Sequence, residues 1–222
     1  MAAPTYKAKG TAGQTQSGTS FSFTYPTVAA NDLLFLMILE CDLKNITVNA
    51  AWTQRVKKFI PSGSPTMSLY IYSKLATGSE SGSESVTRTS GGSTFFGGQI
   101  YSYDGDNYIT IENISSNAGT SDTVTWSAVT LGGTERTLAA FSTNFNTATS
   151  LGTPTGYTNN ADETLSTLDY DVVFELNTKA NVSSDGAVTA TGGSLDGWGT
   201  AHIAIYNNTP TGTGGSRSFI VN

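Results

Sequence analysis

The sequence predicts an all-β fold: two tandem antiparallel β-sandwich domains, jelly-roll or Ig-like, related by an internal repeat. Three observations predict it. Short apolar stretches, alternating or continuous, recur at regular spacing. Gly/Ser/Asn-rich turns separate them, and landmarks of the first hundred residues return in the second. No window of helical length carries apolar residues at three-and-four spacing.

Taken in order, Thr19–Tyr25 alternates, with Phe21, Phe23 and Tyr25 on one face and Ser22 and Thr24 on the other. Asp32–Leu43 is almost continuously apolar, as expected of a central strand buried on both faces. Trp52–Ile60, Met67–Lys74, Ser85–Thr89 and Gln99–Tyr103 follow as strands, and SGSP, ATGSESGSES and SGGS supply the turns between them.

The repeat has five landmarks, separated by about 103 residues. Asp32 opening a strand is echoed by Glu135, Ala51-Trp52-Thr53 by Gly156-Tyr157-Thr158, and Leu69–Ile71 by Val172–Phe174. Val86-Thr87 is echoed by Val188-Thr189, and Gly98–Tyr103 by Ala201–Tyr206, which matches Gln99 with His202. The domains are expected at residues 1–104 and 105–209, with a C-terminal arm at 210–222. Asp104-Gly105-Asp106-Asn107 could open a calcium loop, but Glu112 falls too early to close one. A linker turn between the copies explains these residues better.

Composition narrows the function. The net charge is −6 and only 13% of residues are charged. Nucleic-acid binding needs clustered cations, and the single basic cluster, Arg55, Lys57 and Lys58, reads as a solvated strand face. Cys41 is alone, so no internal disulfide forms, and it lies in an apolar run where a thiol acts as a small hydrophobe. The N-terminus has no apolar signal core, and no stretch approaches the ~20 apolar residues of a membrane span. These features predict folding in a reducing cytoplasm and no membrane partner.

The chemistry-bearing residues are sparse. His202 is the only histidine and cannot form a zinc site with Cys41 alone. Paired carboxylates of the kind glycosidases use would come from Glu80 and Glu84, or from Asp162, Glu163, Asp169 and Asp171. The first pair sits in a Ser/Gly-rich loop with nothing apolar near it in sequence, and the second group surrounds a strand start. No Gly-rich stretch continues into a phosphate loop. Trp52, Trp126, Trp198, Tyr70 and Tyr72 either form a sugar-stacking platform or, the commoner use of such positions, fill the core. No catalytic residue, cofactor or metal is expected. The arm ends in Arg217-Ser-Phe219-Ile220-Val221, a short apolar segment on a Gly-rich tether. It either docks on a neighbouring subunit or folds back on its own domain.

ANDLLFLMI, AWTQRVKKF, SLYIYSKLATGSESGSESVT and FFGGQIYSYDG together resemble a pattern of tailed-bacteriophage virion β-sandwich proteins. In that pattern a "GDLLvl" strand leads to a "GWT" turn, a "lyvyyK-A-GsE" strand and loop, and a closing "aqiyrydg" strand. Ala51 stands where Gly is usual, and the second half carries the likeness only through the repeat. The resemblance implies a non-enzymatic capsid decoration (cement) or tail-associated protein. Its expected partners are the major capsid protein and further copies of itself, a trimer among the options. Assembly would occur in the host cytoplasm, with the protein ending on the virion surface and Arg217, Phe219, Ile220 and Val221 as candidate contacts. The alternative is a tail or adhesin component that binds host glycans.

Overall fold

The computed structural model describes residues 2–61, 66–92, 94–105, 108–145, 150–192 and 197–208. Nine strands come from the first half: β1 (Thr5–Lys9), β2 (Gly13–Thr15), β3 (Ser20–Thr24), β4 (Ala30–Cys41), β5 (Ile46–Thr47), β6 (Thr53–Ile60), β7 (Met67–Thr77), β8 (Ser83–Arg88) and β9 (Phe96–Asp104). Seven come from the second: β10 (Tyr108–Gly119), β11 (Thr123–Trp126), β12 (Arg136–Phe145), β13 (Thr158–Ser166), β14 (Asp171–Val182), β15 (Val188–Thr191) and β16 (Trp198–Asn208). Among the described residues there is no helix, and every strand pairing is antiparallel.

Four sheets form. One large sheet runs β1-β9-β4-β7-β6, with β2 also on β9; the other runs β10-β16-β12-β14-β13. A small β3-β8-β5 sheet and a β11-β15 ribbon complete the set. Side-chain alternation stacks them in layers. On β4, Phe35, Met37 and Leu39 join Phe141, Phe174 and Ile203 of the other large sheet in one cluster. Leu34, Leu36 and Ile38 point the other way, to Phe21, Phe23 and Val86 of the small sheet. On the far side, Leu138, Ala140 and Ala204 meet Val124 and Trp126 of the ribbon. The long apolar run of β4 is therefore buried on both faces, as the sequence predicts.

The two large sheets share their cluster through aromatic contacts. Phe141 lies 5.2 Å from Phe35 and 5.6 Å from Tyr101, ring centre to ring centre. At the sides, β6 runs next to β10. On the opposite side β1 and β2 meet the β13 edge, where Lys9 Nζ donates to Glu163 at 2.5 Å and Gln14 Nε2 to the Ser166 carbonyl at 2.6 Å. Gly13 permits a close crossing of β2 over β3, since a Cβ there would sit 1.7 Å from the Ser22 carbonyl oxygen.

Matched irregularities mark the edge strands. β6 is bulged between Gln54 and Val56, and β13 between Asn159 and Ala161. β1 is bulged between Tyr6 and Ala8, and β10 between Ile111 and Asn113. Each bulge adds one residue and shifts the ladder by one. Leu36 is flanked by Tyr72 and Ile100, and Ala140 by Asn177 and His202. Gln99 shares the face of Tyr101 and Tyr103, toward the cluster between the large sheets, whereas His202 shares that of Ala204, toward the ribbon. Gln99 and His202 therefore do not lie on like faces, because one residue of slip reverses the face.

Candidate functional site

Two clusters each join an aromatic ring, a lysine and a carboxylate. In the first, Trp52 enters β6, Lys74 lies on β7 and Glu84 on β8. The Lys74 ammonium is 4.8 Å from the Trp52 ring centre and 4.6 Å from that of Tyr25, and donates to Tyr25 Oη at 2.7 Å. Glu84 accepts from Trp52 Nε1 at 3.0 Å and from the Tyr25 hydroxyl. Burial, reinforced by Glu84, pushes the Tyr25 hydroxyl pKa up. Glu80 lies 3.7 Å from Lys74. Burial works against its charge, but the Thr77 N–H and Lys74 hold its pKa below the usual range. The Glu80–Glu84 loop thus lies against apolar rings contributed by distant strands, which corrects the local reading of that loop.

In the second cluster the members are Tyr157, Lys179, Asp185 and His202. Lys179 Nζ is 3.4 Å from Asp185 and 5.5 Å from the Tyr157 ring centre, and Tyr157 donates to the Asp185 carboxylate. His202 Nε2 is 2.7 Å from Tyr157 Oη, and its Nδ1 is 3.0 Å from the Ser127 carbonyl. That carbonyl can only accept, so Nδ1 carries a proton. Burial lowers the His202 pKa. Tyr157 and His202 are both buried, so the cluster joins β14, β16 and the segments around β11 and β15 internally rather than offering a base to solvent.

Two further carboxylates are fully buried. Glu40 lies 3.5 Å from Arg88, which also donates to the carbonyls of Gly18 (3.0 Å) and Gln16 (3.1 Å). Burial raises Glu40 to about 7 against the pull of Arg88 and the Lys44 N–H. Glu175 accepts from the Leu151 N–H at 2.8 Å and from Ser150. Burial raises it to about 7 as well. Sequence reasoning passed over both, because an isolated Glu within an apolar strand carries no spacing signal.

Trp52, Trp126, Trp198, Tyr70 and Tyr72 are all buried, so none forms an exposed stacking platform. Cys41 is buried in the cluster between the large sheets. Asp162 and Glu163 lie on the β13 edge, and Asp169 in the turn after it accepts from Gln16. Among the described residues no three His, Cys, Asp or Glu side chains gather as a metal site. Likewise, no described helix is long and apolar enough to cross a membrane. Asp106, Asn107, Arg217, Phe219, Ile220 and Val221 lie outside the described residues.

The surface offers an open cleft of about 530 Å³, walled by Leu33, Leu75, Ile109 and Ile111 with Arg55 and Glu80 among its polar members. Beside it, β6 presents Arg55 and Lys57 to solvent. Comparison of the chain with protein families, curated proteins and solved structures yields no match.

Proposed function

We propose that this chain is a non-catalytic structural protein of a virion shell, built from two copies of one sandwich unit. The observation that carries the structural part is a pair of ion pairs in corresponding places with exchanged charge. Lys7, at the β1 bulge, holds Asp32 at 2.7 Å near the start of β4. Glu112, at the β10 bulge, holds Arg136 at 2.8 Å at the start of β12. The parallel strand orders, the bulges on β6 and β13 and the two aromatic–lysine–carboxylate clusters support the same duplication. Positive φ at Asn31 (72°) and Glu135 (60°), just before these positions, adds to it.

In this reading the polar side chains of the clusters stabilise the fold. Recognition falls to the outer edges and to the terminal segment with Arg217, Phe219, Ile220 and Val221. The shell assignment itself rests on the resemblance to virion sandwich proteins, with the major capsid protein as partner. The test is co-sedimentation of the purified chain with shells stripped of it. Saturable binding that raises the shell's thermal stability supports the reading. No binding to intact shells refutes it.

A further inference from the structure

We propose that the β6 side of one copy receives the β13–β14 hairpin of a second copy, a head-to-tail contact between unlike surfaces. β6 and β13 are each bonded to one neighbour in their own sheet, with β6 beside β10 and β13 met by side chains of β1 and β2. Arg55 and Lys57 are exposed on β6 and Lys58 is half-buried. None of the three has a carboxylate partner among the described residues. The opposite side carries exposed Asp162 and Asp169 and half-buried Asp171. The β6 strand thus presents cations free of carboxylate partners, and the β13–β14 side presents Asp162, Asp169 and Asp171 beside the Lys9–Glu163 pair.

The hairpin also carries an apolar anchor. Leu168, in the turn between β13 and β14, is 93% exposed, the most exposed large apolar side chain among the described residues. It is flanked by Asp169. The cleft next to Arg55 has a matching make-up, with Leu33, Leu75, Ile109 and Ile111 in its walls, Glu80 paired with Lys74, and Arg55 without a carboxylate partner among the described residues. Burying a leucine there favours association by roughly ten- to a hundredfold. A twofold contact would set the β6 cations against their own copies, which like-charge repulsion opposes. Head-to-tail contacts close into a ring or run on as a chain, according to the rotation per step.

The contact belongs to the purified chain and stands apart from the shell reading, so each fails or survives on its own. Sedimentation velocity over a range of concentrations, at low salt and at about 1 M salt, reads it directly. The native chain assembles at low salt and dissociates as salt rises. R55E/K57E/K58E and D162K/D169K are each folded monomers by circular dichroism, with affinity down roughly a hundredfold. An equimolar mixture of the two, or one chain carrying all five changes, assembles again. L168A weakens assembly roughly tenfold. A native chain that stays monomeric throughout, charge variants that assemble unchanged, or a folded five-change chain that remains monomeric would each overturn the proposal.

Discussion

The contact between the two large sheets makes Phe141→Ala an informative perturbation. Phe141 is fully buried on β12, and its ring packs on Phe35 of β4 and Tyr101 of β9. Truncation removes the ring from a site walled by rigid strands from both halves, which have little freedom to close on the void. The expected cost is about 3–5 kcal/mol. At this chain length each kcal/mol lowers Tm by about 2–4 °C, so a fall of roughly 10 °C is expected. The backbone carbonyl of Phe141 accepts from Trp126 Nε1 at 2.9 Å, and that bond survives the change. The assay is thermal unfolding followed by circular dichroism, with hydrogen exchange resolving β4 and β12. Exchange should accelerate in both strands, because both line the same cluster. A fall in Tm below about 2 °C, or faster exchange confined to β12 and its neighbours, would refute the shared core.

Three other perturbations follow from the buried groups. Glu175 has its pKa raised to about 7, so the folded state binds that proton more tightly than the unfolded chain does. Its stabilisation is complete below about pH 4 and is lost as pH rises through 7. Glu175→Gln should therefore flatten the decline in Tm between pH 5 and 8 and leave the variant about 2–3 kcal/mol more stable than the native chain at pH 8. Arg88→Met strands buried Glu40 and should cost about 3–5 kcal/mol in urea unfolding at pH 8. The cost should shrink at pH 5, where Glu40 is protonated, and in the Arg88→Met/Glu40→Gln double variant; equal losses at both pH values would contradict this. Gly13→Ala drives a methyl into the Ser22 carbonyl, so a loss of about 2 kcal/mol or more is expected by the same measurement, and a neutral effect would show that the crossing is looser.

Much of the fold was legible where burial leaves a simple mark. The alternation around Phe21 and Phe23 and the unbroken apolar run of β4 located their strands within a few residues. β1, β2 and β5 escaped because they are short, half-buried or edge segments such as TYKAK, in which polar and apolar positions do not sort cleanly. The landmarks that suggest a repeat are visible in the sequence, but the face each strand residue presents is not. The Gly98–Tyr103 and Ala201–Tyr206 segments look alike when slid by one residue, so spacing alone sets Gln99 against His202 although Gln99 shares a face with Tyr101 and His202 one with Ala204. The clusters around Lys74 and Lys179 could not be read from spacing at all. Their members come from strands and loops that meet only after folding, which is why the Glu80–Glu84 loop gave no sign of its aromatic neighbours. The aromatics themselves were ambiguous because alternation reveals that a strand has two faces, not which of them is covered.

The measurement that bears most directly on the proposed role is the number of copies of this chain per purified virion, obtained by quantitative mass spectrometry against the most abundant shell subunit. A shell component should be present in numbers comparable to that subunit, and this is the predicted result. A few copies per particle would place the chain on a tail or vertex instead. Its complete absence from particles would contradict the account.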